Sequence, residues 1–273
     1  MTLRFQDILM IGCGNMAGAM LEGWLAGGLE PGSFTVVEPS DKALPEGIAH
    51  HRTIPANGKF DAVLLGVKPQ MLGDVAAGVA RLAGANTTVL SLLAGVELAT
   101  LAARFPTAGA RVRVMPNLAV ALGKAPIALA GNGLDDAGRA ALAALMEPLG
   151  TPEWVDEAEF NLVTALAGSG PAFVYRFIDA LACGATSLGL SRAQADRLSL
   201  AMVEGAAALA AASHESPGKL ADRVASPGGM TRKGLDVLER DEALVALLTE
   251  TLRATRERGA ELAAEARKPL DEG

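Results

Sequence analysis

The sequence predicts an α/β fold in the first half of the chain and an all-helical fold in the second half. Up to about residue 155, short apolar or β-branched runs alternate with segments of helical spacing, the order expected of a parallel sheet with crossover helices. After residue 156 the β-like runs stop and long stretches of helical spacing take over. The chain has 273 residues, 50 % of them hydrophobic, which is enough to bury a substantial core. We therefore predict a sheet domain over residues 1–155 and an all-helical domain over residues 156–273.

The predicted strands of the first half are bounded by Gly, Pro, Asp or Asn, residues that end strands. Helical patterns fall between them over residues 17–26, 70–81 and 97–104. Two later runs, 125–130 and 152–156, are candidate edge strands with a helix over residues 135–150 between them. The five principal strands are predicted over residues 8–12, 34–38, 61–67, 87–93 and 110–116.

A glycine-rich turn follows the first predicted strand and opens the first predicted helix. Gly12, Gly14 and Ala17 stand there in G-x-G-x-x-A spacing. The glycines allow a tight turn and the close approach of a pyrophosphate, while the helix N-terminus offers free N–H groups and the positive end of its dipole. The motif predicts a Rossmann-type domain that binds a nicotinamide dinucleotide through Gly12, Gly14, Asn15, Met16 and Ala17.

An acidic residue ends the second predicted strand, at the distance from the glycines where a ribose-binding carboxylate is expected. Glu38 can accept hydrogen bonds from the adenosine ribose hydroxyls and would repel a 2′-phosphate. This position favours NADH over NADPH. The alternative is that Glu38 turns outward and that Ser40 and the backbone amides around Pro39 hold a phosphate.

The segments after the third and fifth strands are further candidates for cofactor contacts. Val67, Lys68 and Pro69 follow the third strand and therefore lie at the carboxyl edge of the sheet, where ligands of open α/β sheets bind. Lys68 could equally be a surface lysine before a proline that starts a helix. Asn117 follows the fifth strand and can approach the nicotinamide.

Charge and the N-terminal segment argue against several classes of partner. The formal net charge of -7 gives no basic surface for nucleic acid or for an anionic membrane. The first apolar run spans about five residues before glycines intervene, too short for a signal peptide or a membrane span. We expect small molecules or other copies of the chain as partners.

Cysteine and histidine positions argue against a disulfide framework and a metal site. Cys13 and Cys183 lie far apart, which indicates a reducing, cytoplasmic location. His50, His51 and His214 lack the spacing of metal ligands, and the adjacent pair resembles an exposed loop. No Ser-His-Asp or Cys-His set is present, and hydride transfer requires none.

The helical half contains many small residues and long apolar faces. Pro171 suits the first turn of a helix restarted after Gly168, Ser191 is a candidate N-cap, and a final helix is expected from Asp241. The apolar faces predict a homodimer formed through this half. The alternative is a monomer in which these helices cover the sheet domain.

One loop in the helical half has a defined shape. In "SPGGMT", Pro227 restricts one backbone angle while Gly228 and Gly229 free the next two. Successive N–H groups in a glycine-permitted turn at a helix start form an anion-binding nest, to which Ser226 and Thr231 add hydroxyls.

Taken together, these segments resemble the pyrroline-5-carboxylate reductase family over nearly the whole chain. The resemblance rests on "GCGNMAGAM", "GVKPQ", "RVMPN", "VTALAGSGPAFVYRFIDALACGA", "GLSRAQA" and "ASPGGMTRKGLDVLE", in that order. It implies reduction of the cyclic imine Δ1-pyrroline-5-carboxylate to L-proline with NAD(P)H. It also implies a dimer of interlocked helical domains, often assembled into a decamer.

The resemblance further implies roles for the residues of the SPGG loop. The substrate carboxylate would be bound largely by backbone N–H groups among Ser226, Gly228, Gly229, Met230 and Thr231. Thr231 would be the catalytic residue that hydrogen-bonds the ring nitrogen. Met230 stands where family members often have a small or hydroxylated residue, so only its backbone role is implied.

Two other readings remain open at this point. The first is another imine reductase or a β-hydroxyacid dehydrogenase; the latter usually needs a catalytic lysine in a Lys-x-x-x-Asn pattern, which neither Lys219 nor Lys233 provides. The second is a non-catalytic regulator that binds nicotinamide and uses its helices for interaction. Tyr175 is a rival proton donor to Thr231, although its setting favours helix packing.

Overall fold

A computed structural model describes residues 5–267 of the chain. Within that range, one compact unit comprises the residues up to Ser169 and those from Thr255 onward, and the other comprises Gly170–Ala254. The first unit extends beyond the last strand because Phe160 is buried against Ala128 and Ala130 of the sheet. As a domain boundary, residue 155 stays a prediction.

The first unit contains an eight-stranded sheet in the order β3-β2-β1-β4-β5-β6-β7-β8, among the residues described. Neighbouring strands are parallel except β6 and β7, which are antiparallel. The strands are β1 (Ile8–Ile11), β2 (Phe34–Val37), β3 (Ala49–His51), β4 (Ala62–Leu65), β5 (Thr88–Ser91), β6 (Ala110–Met115), β7 (Ala125–Asn132) and β8 (Gly150–Trp154). The predicted parallel sheet is confirmed.

One strand is absent from the sequence prediction. His50 and His51, expected in an exposed loop, belong to the edge strand β3, where they pair in register with Val36 and Val37. Their exposure was expected correctly, but the assignment as a loop was wrong. All three side chains of β3 are exposed, so the strand has no apolar alternation, and only its pairing with β2 reveals it.

Helices cover both faces of the sheet. In the first unit they are α1 (Asn15–Ala26), α2 (Leu72–Leu82), α3 (Leu98–Arg104), α4 (Asp136–Met146) and α5 (Phe160–Val163). Residues of α1 and α4 belong to one buried cluster and residues of α2 and α3 to a second. Trp24 of α1 stacks on Phe34 with ring centroids 5.6 Å apart and donates to the carbonyl of Leu145, so α1 is held to both β2 and α4.

The second unit consists of helices. They are α6 (Gly170–Ser187), α7 (Arg192–Ala212), α8 (Pro217–Arg223), α9 (Met230–Glu239) and the first part, up to Ala254, of α10 (Ala243–Arg267). Pro171 stands in the first turn of α6, and the Ser191 side chain caps α7 by accepting from the Gln194 N–H, both as predicted. The final helix begins two residues later than expected because Asp241 and Glu242 have positive φ angles.

Candidate cofactor-binding and substrate-binding elements

The glycine turn lies where the strand order of the sheet reverses. β1 is flanked by β2 on one side and by β4 on the other, and such switch points are where open α/β sheets bind ligands. Gly12 has a φ of +85°, and a Cβ there would lie 2.9 Å from Cγ1 of Val67 and 3.2 Å from the Gly66 carbonyl. Gly12 is therefore required by the fold itself, because its backbone must pass against the end of β4.

In the next residues of the motif, the groups available to a ligand are backbone N–H groups. Gly14 is the N-cap of α1, and a Cβ on it would meet nothing within 4 Å, so space is open above it. The first intrahelical bond runs from the Gly18 N–H to the Gly14 carbonyl, so the N–H groups of the first turn lack partners within the helix. Asn15 is exposed, while Met16 packs partly into the core. These free amides form the predicted phosphate-binding position.

Ala17 lies where α1 packs against the sheet. It is 1 % exposed, and its Cβ lies 2.7 Å from the position a Cβ on Gly66 would take. A small residue at 17 and glycine at 66 therefore allow α1 to pack on the end of β4. Gly66 belongs to the quoted "GVKPQ" segment but was not among the predicted site residues.

Glu38 faces the glycine turn. Its Oε2 accepts from the Cys13 N–H at 3.0 Å, and its Oε1 accepts from the N–H and the hydroxyl of Ser40 at 3.2 and 2.9 Å. Desolvation raises the pKa of this carboxyl, but the hydrogen bonds from Cys13 and Ser40 outweigh it and leave the pKa below its usual value. Glu38 is thus an ionised carboxylate held beside the glycine turn, and the outward orientation considered above is not the one observed.

A lysine that the sequence analysis missed contacts the same turn. The Lys42 ammonium donates to the Cys13 carbonyl at 2.6 Å and lies 3.8 Å from the Cys13 Sγ. Burial raises the pKa of the Cys13 thiol, and the positive charge of Lys42 opposes that rise. No local pattern marks Lys42, because a long loop brings it back over residues 29 positions earlier in the chain.

The segment after β4 divides into a buried and an exposed part. Val67 is half-buried and touches the position that a Cβ on Gly12 would occupy. Lys68 is exposed, and Pro69 begins a short 3-10 turn that leads into α2. The cofactor contacts predicted for Val67, Lys68 and Pro69 stay predictions; their position beside the glycine turn is what the structure adds.

Asn117 has a structural role that the sequence analysis did not foresee. It is 6 % exposed; its Nδ2 donates to the Ala167 carbonyl and its Oδ1 accepts from the Ala119 N–H, both at 2.9 Å. The side chain thus ties the end of β6 to the turn before α6. Its predicted contact with the cofactor stays a prediction; each end of the amide makes one of the two hydrogen bonds open to it.

An ion pair between a buried arginine and a half-buried glutamate lies at the neighbouring strand. Arg113 of β6, 4 % exposed, donates to Oε1 of Glu157 at 3.2 Å, and the same oxygen accepts from the Leu98 N–H at 2.7 Å. The guanidinium carbon lies 3.9 Å from the centroid of the Phe160 ring. Burial lowers the pKa of Arg113, and the Glu157 carboxylate opposes that shift. The pair connects β6 to the start of α3; its only sequence signal is a charge inside a β-branched run.

The SPGG loop of the second unit is a closed turn at the start of α9. The Gly229 N–H donates to the Ser226 carbonyl at 2.9 Å, and Gly228 has a φ of +71°. Proline at the second position and a positive-φ glycine at the third are the signature of a type II turn. Gly229 is the N-cap of α9, and the first backbone bond of that helix comes from the Lys233 N–H. The amides of the first turn are thus free to bind an anion.

The side chains of the loop are accessible within the chain. Ser226 and Thr231 are exposed, and Met230 is 94 % exposed. Tyr175, the rival donor, is 69 % exposed, so the helix packing expected for it does not occur within the part of the chain described. The structure thus places Ser226, Gly228 and Gly229 in the turn and Met230 and Thr231 at the start of α9, and their binding roles stay predictions.

An arginine connects the helices on either side of this turn. Arg232 of α9 donates to Asp222 of α8 at 3.0 Å and to Glu239 at the end of α9 at 3.3 Å. The Arg232 side chain is 29 % exposed. Its contact with Asp222 links α8 to α9 across the SPGG loop, and the sequence analysis did not identify it.

Residues 5–267 contain no group of three or more His, Cys, Asp or Glu side chains that could hold a metal ion. In the same range, every helix falls short of the length and apolar character needed to cross a membrane.

Comparison with known proteins matches both halves of the chain. Residues 157–262 match the family model for pyrroline-5-carboxylate reductase dimerisation, and residues 7–95 match that for NADP oxidoreductase, coenzyme F420-dependent. A pyrroline-5-carboxylate reductase of Methanosarcina acetivorans is 34 % identical over 94 % of this chain and 98 % of its own length. That of Synechocystis is 40 % identical over 74 % of this chain and 75 % of its own. The structure of a pyrroline-5-carboxylate reductase from Coxiella burnetii matches with a TM-score of 0.82 and 29 % identity, covering 94 % of this chain and 98 % of that one.

Proposed function

This chain belongs to the pyrroline-5-carboxylate reductase family, and we infer from that membership that its two units supply different parts of one reaction. The protein reduces the cyclic imine Δ1-pyrroline-5-carboxylate to L-proline, the last step of proline biosynthesis, with NAD(P)H as the reductant. The first unit provides the cofactor-binding turn and the second provides the anion-binding turn.

The residues around the glycine turn fit a nicotinamide dinucleotide. Gly12 and Ala17 bring the strand and helix ends together, and the open space above Gly14 lets a pyrophosphate approach the free amides of α1. We propose that Glu38 accepts a hydrogen bond from the adenosine ribose, because a carboxylate accepts about four bonds and three are already observed. When bound, the cofactor supplies the hydride.

The observation on which the substrate assignment rests is the type II turn at the N-terminus of α9. A substrate carboxylate matches the free amides of the first turn and the positive end of the helix dipole, and the turn needs no basic side chain to hold it. The hydroxyls of Ser226 and Thr231 stand at either end of the turn. A turn of this construction has no evident purpose in a protein that only binds a nicotinamide cofactor.

Reduction of the imine requires little chemistry from the side chains. A protonated C=N bond is already electrophilic at carbon, so the protein must chiefly orient the substrate and exclude water. Correct orientation alone can remove roughly 7–11 kcal/mol of barrier. We propose that the Thr231 hydroxyl hydrogen-bonds the ring nitrogen and holds the imine in that orientation. No residue of the chain forms the lysine pattern of hydroxyacid dehydrogenases, so that reading is not favoured.

The protein is a homo-oligomer, and we propose a dimer built through the helical unit. Among the described residues of α7, Leu198, Met202 and Leu209 share one helix face and are 50 % exposed or more. A contiguous apolar face of this kind requires a partner. A decamer is the higher assembly that we propose, and a cytoplasmic location agrees with two free cysteines.

The decisive test follows the loss of reduced-nicotinamide absorbance on addition of pyrroline-5-carboxylate, separately for NADH and NADPH. Consumption that depends on the imine, with proline as the product, is the expected result. A 2-hydroxy acid with the oxidised cofactors is the matched control and should give no turnover. If neither reduced cofactor is consumed with the imine, the assignment of this reaction is wrong.

A further inference from the structure

We propose that Lys42 binds the 2′-phosphate of NADPH and is the residue that makes this cofactor acceptable despite Glu38. The proposal rests on the proposed function, since it concerns the adenosine end of the same cofactor. It starts from the connection between β2 and β3. In the part of the chain described, residues 38–48 form turns and loop, with no helix between the two strands. The loop is free to fold over the glycine turn, and Lys42 reaches that turn from it.

Two opposite charges therefore stand at one end of the turn. Glu38 is held by the Cys13 N–H, and Lys42 is held by the Cys13 carbonyl, so both side chains contact the same residue. The positive charge of Lys42 is one of the causes that lower the pKa of Glu38. The Glu38 carboxylate is positioned to accept from a ribose hydroxyl and to repel a phosphate attached there. Lys42 is positioned to offset that repulsion.

The contacts of Lys42 leave it capable of binding a phosphate. A lysine ammonium has three donor hydrogens, and the strong contact observed is the one to the Cys13 carbonyl, with the Sγ contact long at 3.8 Å. The residue as a whole is exposed, while the contact of its ammonium with Cys13 is partly buried. A phosphate monoester carries about -1.5 to -2 charge at neutral pH and accepts strong hydrogen bonds. The Lys42 ammonium would exchange its contact with the neutral Cys13 carbonyl for one with the phosphate dianion, and this exchange favours binding of the phosphate.

Arg52, which follows the edge strand β3, is another cation of this region and provides the comparison. It pairs with Asp41, the neighbour of Lys42, and its side chain is 66 % exposed. Its observed ion-pair partner is thus a carboxylate of the loop, whereas Lys42 contacts the glycine turn itself. The geometry therefore distinguishes the two residues: both contribute positive charge to the region, but only Lys42 touches the phosphate-binding backbone among the contacts described.

The test measures binding of two cofactor fragments, 2′,5′-ADP and 5′-AMP, by titration calorimetry. Lys42→Met should weaken 2′,5′-ADP by about tenfold, the size expected of one charge-assisted hydrogen bond at an exposed site, and should leave 5′-AMP within about twofold. Lys42→Arg should restore most of the affinity for 2′,5′-ADP. Arg52→Met is the matched control and should leave both fragments within about twofold. In Lys42→Met, the KM for NADPH should rise relative to the KM for NADH by the same factor.

Several outcomes would overturn the proposal. Equal weakening of both fragments by Lys42→Met would mean that the lysine only shapes the turn. An unchanged affinity for 2′,5′-ADP in Lys42→Met, or an Arg52→Met effect as large as that of Lys42→Met, would assign the phosphate contact elsewhere. These results are distinct from failure of the proposed function, in which the unmodified protein would bind neither fragment.

Discussion

Replacing Gly12 or Gly14 with alanine should separate the folding role of the glycine turn from its binding role. At Gly12 the φ of +85° costs an L-residue roughly 1–2 kcal/mol. The new Cβ would also lie 2.9 Å from Val67 Cγ1, and overpacking of this kind costs about 1–3 kcal/mol. Gly12→Ala should therefore lower the free energy of unfolding by about 2–5 kcal/mol, a large part of the 5–15 kcal/mol typical of a domain.

Gly14→Ala should behave differently. The φ of Gly14 is -67°, which alanine adopts freely, and the added methyl meets nothing within 4 Å. The loss of stability should be at most about 1 kcal/mol, the cost of alanine at an N-cap. The methyl would, however, stand where the pyrophosphate must approach the backbone. We expect the Kd for NADPH to rise at least about tenfold, or roughly 1.4 kcal/mol.

Urea unfolding of the cofactor-free protein, followed by the fluorescence of Trp24, measures the free energy of unfolding. Trp24 is fully buried on α1 and stacks on Phe34, and the second tryptophan, Trp154, is replaced by Phe in all variants. Titration calorimetry measures the Kd for NADPH. If Gly12→Ala unfolds within about 0.5 kcal/mol of its parent, the close approach of Gly12 to the end of β4 does not constrain the fold. If Gly14→Ala loses as much stability as Gly12→Ala, the two roles are not separate.

Four further predictions concern the SPGG loop, for which there are two, the Glu38 carboxylate and the assembly. Thr231→Ala should lower kcat/KM for pyrroline-5-carboxylate by about tenfold or more, whereas Thr231→Ser should retain most activity, because the hydroxyl is the group required. Arg232→Ala should raise KM for the imine several-fold and leave KM for the cofactor and the thermal midpoint almost unchanged, since exposed ion pairs contribute only about 0–1 kcal/mol. Glu38, whose pKa is lowered in the folded state, stabilises the protein above its ordinary value of 4.5 and loses that contribution as the pH falls. Glu38→Gln should therefore lose less stability on acidification and should bind NADPH more tightly relative to NADH. Met202→Glu should shift the protein to a smaller species in sedimentation velocity, because a charge on an apolar oligomer face is not compensated.

The two expectations for the SPGG loop can be checked further. Asp222→Asn should reproduce the effect of Arg232→Ala, and if it does not, the contact between α8 and α9 does not position the loop. Lys233→Ala, on the same helix but without contact to α8 among the pairs observed, should leave KM for the imine unchanged. A Thr231→Ala enzyme with parental kinetics would contradict the role of the hydroxyl.

The fold class and the positions of most strands were predictable from local patterns. Strands β1, β2 and β4 are apolar runs that end at glycine or acidic residues, and the glycine spacing identified the turn between β1 and α1. The edge strand β3 was not predictable, since its three residues are all exposed and carry no alternation. The SPGG turn was predictable in shape, because proline and glycine restrict backbone angles locally.

The sequence by itself thus determined features that depend on neighbouring residues: the α/β and helical halves, the G-x-G-x-x-A turn, and the shape of the SPGG turn before α9. Tertiary structure alone decided the features that depend on distant residues coming together. Gly12 is required because the end of β4 packs against it. Asn117 donates a hydrogen bond to the carbonyl of Ala167, 50 positions away, and Lys42 donates one to the carbonyl of Cys13, 29 positions away. The reason is physical: backbone preferences are set by each residue and its neighbours, whereas packing and hydrogen bonds between distant segments depend on how the strands are ordered in the sheet.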